Sequence, residues 1–361
     1  MGKKLVYIIF IMFVVLACED VYRPNLDQVE NKLVIEALVT NDANQNFIRI
    51  SKSRNFFDNS GIEMVPGATV ELIDGQNQVY SGQETKAGYF TLDHASKPGE
   101  HYQLRVTAEG EIYESDVEEM PALPAFDSIY AESEHVTKYY DSSYGEPIAY
   151  DAEQTHTFID LPMTDSLANY RFNLTKTLEW IILPPMEIGP PPPTIYGWVN
   201  FGSTGNFNIA GPADYGTGDV IKRHSLIELT KKLDGLISTD YIDQEAYMEG
   251  WVIDVNEYGM SSKTFNYYRS MVDQLEATGK LFDAVYAQLE PNIHCVSNPE
   301  KTVLGYFEVS SYKKFRYFVY SSRGSNYVYS HLVHKTDPFP SADTIEAYQP
   351  PDFWINRFAD E

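Results

Sequence analysis

A mainly β protein with two folded parts is what this chain of 361 residues predicts, and three observations carry the reading. Apolar residues alternate at period two through short segments bounded by Gly, Asn and Asp turns, the pattern of half-buried strands. Aromatic residues make up 14% of the chain, among them 27 tyrosines, and a ring with one wet edge suits a pleated surface. Met120-Pro121-Ala122-Leu123-Pro124 interrupts the alternation and marks a boundary between the parts. The length allows each part a hydrophobic core of its own.

The first element is a leader. Lys3 and Lys4 precede an unbroken apolar run, Leu5 to Leu16, which at 12 residues is too short for the roughly 20 needed to cross a bilayer. With small Ala17 at its end, residues 1–17 read as a secretory signal peptide. Val15-Leu16-Ala17-Cys18 resembles the lipobox of bacterial lipoproteins, in which the chain is cut before the cysteine and diacylglycerol joins its sulfur. The resemblance implies that Cys18 is the lipidated (palmitate-type) first residue of the mature chain. Each buried methylene contributes about 0.8 kcal/mol, and two or more acyl chains anchor stably. Polar residues 18–31, with Pro24, then form a tether.

Residues 32–120 predict a β-sandwich of immunoglobulin-like size. Leu33-Val34-Ile35 opens it and Phe47-Ile48-Arg49-Ile50 follows, with Ile48 and Ile50 on one face. Gly67 to Gly75 carries Val70 and Leu72 into an Asp74-Gly75 hairpin turn, and Gln78 to Ser81 returns. Gly88 to Leu92, Gly99 to Val106 and Ile112 to Val117 complete the set, with Phe90, Tyr102, Leu104 and Val106 expected in the core. The order of an alanine-valine strand, Asp-Gly, Gly-Tyr-Phe and Pro-Gly-x-x-Tyr-x-Leu resembles the transthyretin-like, carboxypeptidase-regulatory sandwich. That resemblance implies a spacer or binding module without catalytic groups.

Residues 125–361 predict a larger β-rich domain. Strands are expected at Thr155 to Leu161, Tyr170 to Leu174, Trp180 to Leu183, Val303 to Ser310, Phe315 to Ser321 and Ser325 to Leu332. Pro184 to Pro193, with six prolines, reads as an exposed polyproline loop. A helix over 225–234 is expected from the Ser225/Glu228 capping box, the spacing of Leu226, Leu229 and Leu233, and Gly235 as its stop. A second, over 263–278, has Ser262 as N-cap, an apolar face of Phe265, Tyr268, Val272 and Leu275, and Gly279 at its end.

Composition narrows the function. The net charge is −25, and −27 once the leader takes Lys3 and Lys4 away, so phosphate backbones are repelled and nucleic acid is excluded as a partner. Cys18 and Cys295 are the two cysteines, and a lipidated Cys18 leaves Cys295 as a small buried hydrophobe. His331 and His334 fall on opposite faces of a strand, and adjacent His294 and Cys295 point apart, so neither pair suits a metal or a nucleophile. Asp214 and Asp219 flank a glycine-rich turn without the alternating acids of a calcium loop. No hydrolase, zinc or phosphate-loop signature occurs. No catalytic residue, cofactor or metal site is therefore expected, and the chain does not read as an enzyme.

Tyr267-Tyr268, Gly279-Lys280-Leu281-Phe282-Asp283, Asn292-Ile293, Asn298-Pro299 and Val303-Leu304-Gly305-Tyr306-Phe307 occur in this order. With Cys18-Glu19 and the Leu33 to Glu36 strand, the series resembles the Bacteroidota lipoprotein family catalogued as domain of unknown function 4249. The resemblance implies an outer-membrane lipoprotein, expected on the cell surface with the periplasmic face as the alternative. It also implies company: a TonB-dependent β-barrel receptor, for which the protein serves as a non-catalytic accessory in nutrient capture. The competing expectation is a structural or assembly lipoprotein with no small-molecule ligand.

Overall fold

The computed structural model of the protein describes residues 31–54, 61–141, 147–164, 167–182, 195–201, 207–216, 218–230, 246–276, 289–321 and 328–333. The leader, Cys18, the tether up to Glu30, the proline loop 184–193, Leu233, Gly279 to Asp283 and His334 lie outside them.

The first strands are β1 (Leu33–Val39), β2 (Phe47–Lys52), β3 (Thr69–Asp74), β4 (Val79–Ser81) and β5 (Gln83–Lys86). Next come β6 (Tyr89–Thr91), β7 (His101–Ala108), β8 (Glu111–Ser115) and β9 (Glu118–Glu119). The middle of the chain supplies β10 (Ser128–Asp141), β11 (Pro147–Pro162), β12 (Asn169–Ile182), β13 (Ile195–Phe201) and β14 (Asn208–Ala210). A one-turn helix, α1 (Pro212–Tyr215), precedes β15 (Val220–Thr230) and β16 (Ala246–Met260), and α2 (Ser262–Glu276) follows. The last strands are β17 (Ile293–Cys295), β18 (Leu304–Val309), β19 (Ser311–Ser321) and β20 (Val328–Val333).

The chain is mainly β, as its alternation predicts, and four sheets pack as two sandwiches. In the first, the sheet β18-β1-β2-β6-β5 faces β17-β8-β7-β3-β4, with β9 beside β7. Ile48, Ile50, Val70, Leu72, Phe90, Tyr102, Leu104 and Val106 are all buried in one core, so every predicted core position is filled as expected. The Asp74 turn is longer than a two-residue hairpin: Asp74 Oδ1 accepts from the backbone of Gln76 and Gln78 at 2.9 Å each, and Asn77 rather than Gly75 takes positive φ.

The predicted boundary needs correction. Two strands of the first sandwich come from far along the chain: β18 pairs in parallel with β1, and β17 pairs with β8. Ile293, Cys295, Val303, Phe307 and Val309 sit in the same core as Leu72 and Leu104. Residues 32–120 are therefore an incomplete sandwich by themselves. No local pattern could reveal this, because a parallel partner need not be near in sequence.

The second sandwich packs the sheet β10-β11-β15 against β13-β12-β16-β19-β20, with β14 beside β12. Ile159, Leu161, Phe172, Trp251, Ile253, Phe315 and Val319 fill its core. The strands expected at 170–174 and 180–183 are parts of the one strand β12.

The helix expected over 225–234 is not formed at its start, since Val220–Thr230 is the extended strand β15. Its register against β11 shifts between Thr157 and Phe158, which are opposite Ile227 and Ser225, so Leu226 is the extra residue of a bulge. The bulge lets Leu226 be buried in the same core as Leu229, with Ile227 half-buried beside them, and three apolar residues in four positions imitate a helical face. Glu228, read as a cap, instead lies 3.7 Å from Lys138. The second helix is confirmed as α2, but its N-cap is Ser261, whose hydroxyl accepts from the Thr264 amide at 3.2 Å. Phe265 packs with Ile209 and Met260, whereas Leu275 is 69% exposed and leaves the predicted apolar face one turn shorter.

Candidate functional site

Two of the segments that carried the family resemblance, Tyr267-Tyr268 and Val303 to Phe307, meet beside the passage from one sandwich to the other, with Tyr267 stacked on Tyr306. β18 ends in the first sandwich, Ser310 alone intervenes, and β19 begins in the second. Gly305 starts this passage at φ +102°, and a Cβ there would lie 2.0 Å from the carbonyl oxygen of Ile35, so only glycine lets β18 approach β1. The Asn292 amide accepts from the Phe307 N–H and donates to the Phe307 carbonyl, both at 2.8 Å, in the manner of a missing strand.

Glu308, buried on β18, is the centre of the junction. Its Oε1 accepts from Arg171 Nη2 and from the Ser310 hydroxyl at 2.8 Å each, and its Oε2 accepts from the Tyr268 hydroxyl at 2.5 Å. The Arg171 guanidinium lies 4.0 Å from the ring centre of Tyr258 and 4.9 Å from that of Tyr268, a cation held between two π faces. Tyr267 stacks on Tyr306 at 4.3 Å, and Tyr258 packs against Tyr312 and Leu38. The Asn41 side chain brackets the Tyr312 backbone, accepting from its N–H at 2.5 Å and donating to its carbonyl at 3.1 Å. One side chain of β12, one of β18 and one of α2 thus meet in a single ion-paired knot.

The protonation states follow from burial. Removal from water holds Tyr268 well above the usual phenol range, with neighbouring Glu308 adding to the rise, and burial pushes Tyr267 up to about 12. Burial opposes the Arg171 charge, but Glu308 more than restores it. The phenols therefore act as hydrogen-bond donors and ring faces near neutral pH, and the knot holds its shape without moving protons.

A second polar group ties α1 to β15. Tyr215 donates its hydroxyl to His224 Nδ1 at 2.7 Å, and His224 Nε2 lies 2.5 Å from Asn208 Oδ1, which fixes the proton on Nε2. Burial pushes His224 down to about 4, so the ring is neutral. Burial also raises Tyr215, so its phenol is a clasp rather than a nucleophile. Asp214, considered as a calcium ligand, pairs with Arg269 of α2.

His294 and Cys295 point apart as expected: His294 faces Asp116 at 3.5 Å, and Cys295 is buried in the first core. Among the described residues no three His, Cys, Asp or Glu side chains are placed to hold a metal, and no helix is long and apolar enough to cross a membrane. His331 falls on β20. Sequence reasoning missed Arg171, Tyr258, Glu308 and His224. The available signal was a charged or imidazole side chain inside an apolar strand, which gains meaning only with its partner.

These features define a mainly β protein of two sandwiches joined by the direct passage from β18 to β19 and fastened by a buried ion-paired knot. A family model described as a domain of unknown function (DUF4249) matches residues 19–316, and the chain belongs to that family. No curated protein and no solved structure matches it.

Proposed function

We propose that this protein is a lipid-anchored outer-membrane lipoprotein, a non-catalytic accessory that presents its paired sandwiches to a TonB-dependent β-barrel receptor in nutrient capture. The observation that carries the reading is Cys18 directly after a short apolar leader and Ala17. The family match begins at the next residue, Glu19, and leaves out the leader, which supports a mature chain that starts at Cys18. The acidic pair Glu19-Asp20 resembles the export tags that send such lipoproteins to the cell surface. The fastened junction adds a physical reason. A tethered body is held near its neighbours at high effective concentration, and a rigid one loses little entropy on docking, so a modest interface suffices. Metabolic labelling with an alkyne fatty acid tests the anchor. The wild type takes the label and stays with membranes through a salt wash, and Cys18→Ser loses both. A serine variant that still fractionates with membranes contradicts the reading.

A further inference from the structure

Glu257 is the least satisfied charged side chain among the described residues. It lies on β16 facing the core of the second sandwich, is 0% exposed, and neither carboxylate oxygen has a hydrogen-bond partner among them. A buried carboxylate in that state is expensive unless it is protonated or finds a cation.

The nearest cation is already in register. Lys313 of β19 is directly opposite Glu257 in the antiparallel ladder, so both side chains project from the same face. Lys313 does not pair with it; its ammonium sits 4.6 Å from the ring centre of Phe126. Phe126 belongs to the linker between the sandwiches and packs on Phe315 at 4.9 Å. Leu123, from the same linker, reaches to 3.1 Å from where a Cβ on Gly259 would stand, two residues along β16 from Glu257. The linker is thus the lid on the end of the core that keeps water from Glu257, and it holds the one lysine that could neutralise it.

We propose that residues 121–126 form a pH-gated strap, closed over the second sandwich while Glu257 is protonated and released when Glu257 ionises and takes Lys313 from the Phe126 ring. The ionised pair needs Lys313 to swing along its own strand face, and the strap then loses the cation–π contact and the dry surface beneath it. Burial already raises Glu257 to about 7, with Lys313 working in the opposite direction. The other ionisable group facing it is Tyr170 of β12, whose hydroxyl donates to the Pro162 carbonyl and is raised by burial and by Glu257; Asp127, at the end of the strap, acts on Tyr170 in the same sense. Neither supplies a positive charge, so Lys313 is the one cation that can answer the ionised carboxylate from these neighbours. Because the strap joins the two sandwiches, its release alters their connection without breaking the ion-paired knot.

Hydroxyl-radical footprinting read by mass spectrometry on the full chain in detergent tests this, using the side chains of Leu123 and Phe126, which pack partly buried against the second core. After normalisation to free leucine and phenylalanine at each pH, their protection in the wild type is expected to fall at least threefold as pH rises from 5.5 to 8.5, while Val70 and Leu72 of the first core stay protected. Glu257→Gln is expected to keep the strap protected throughout. Lys313→Met removes the alternative partner and moves the transition to higher pH, which supplies an independent readout should the glutamine variant not fold. A pH-independent strap in the wild type, an unchanged transition in either variant, or loss of protection at Val70 and Leu72 together with the strap overturns the proposal.

Discussion

Replacing Glu308 by Ala removes the acceptor of three donors at once: Arg171, Tyr268 and Ser310. Ser310 can turn to a backbone carbonyl, but the Arg171 guanidinium is largely buried and keeps its charge. Breaking a buried ion pair by deleting one partner costs about 3–5 kcal/mol, because the survivor is left uncompensated. The two tyrosine faces around Arg171 remain in the variant and offset a small part, of order 1 kcal/mol. A net loss of about 2–4 kcal/mol is expected, read as a lower urea midpoint at unchanged slope. Arg171→Met in the Glu308→Ala background removes the stranded charge and should recover a substantial share. A double-mutant cycle then gives a coupling of 1 kcal/mol or more. A loss under 0.5 kcal/mol for Glu308→Ala, or strict additivity in the cycle, refutes the knot as the fastening of the two sandwiches.

Two titrations of opposite sign set the pH profile. The Glu257 carboxyl is raised from 4.5 to about 7, so its contribution is full below pH 4.5 and is lost as pH rises through 7. His224 is lowered from 6.5 to about 4, so its contribution is present above pH 6.5 and is lost as pH falls through 4. At about 1.4 kcal/mol per unit each amounts to roughly 3 kcal/mol. The two largely cancel between pH 4.5 and 6.5, and Glu257→Gln should unmask a gain of about 3 kcal/mol on raising the pH from 4 to 6.5, measured by urea titration at each pH. Gly305→Ala places a Cβ against the Ile35 carbonyl, so loss of soluble folded protein or at least 3 kcal/mol is expected, measured by circular dichroism melting. A fragment of residues 32–120 should fail to unfold cooperatively, whereas the same fragment joined to 289–309 should melt in one transition, since Val303, Phe307 and Val309 complete its core.

How much was legible in the sequence depended on the range of the interaction. Val70 and Leu72, or Tyr102, Leu104 and Val106, reveal their face by alternation alone, and each is buried. Phe265, Tyr268 and Val272 reveal α2 by their spacing. The strand at Val220–Thr230 reads as the start of a helix because a bulge at Leu226 breaks period two and copies the helical spacing. A boundary near Met120 looks complete in the sequence because β1 and β18 become neighbours only through a pairing that crosses most of the chain. The knot is hidden for the same reason: Arg171 and Glu308 stand out in no local pattern, and they meet Tyr268 only after both sandwiches form. The order of the Tyr267-Tyr268 and Gly305-Tyr306-Phe307 motifs did point to the right place, since stacked Tyr267 and Tyr306 flank that knot.

The central claim, a lipid-anchored accessory of a β-barrel receptor, is tested most directly by crosslinking on intact cells with a membrane-impermeant lysine reagent, followed by mass spectrometry. Lys222 and Lys263 are well exposed in the folded body and serve as reporters. The account predicts crosslinks from this protein to the outer loops of a TonB-dependent receptor, lost when Cys18→Ser removes the anchor. Labelled surface lysines with no receptor crosslink would contradict it and favour a free-standing structural lipoprotein.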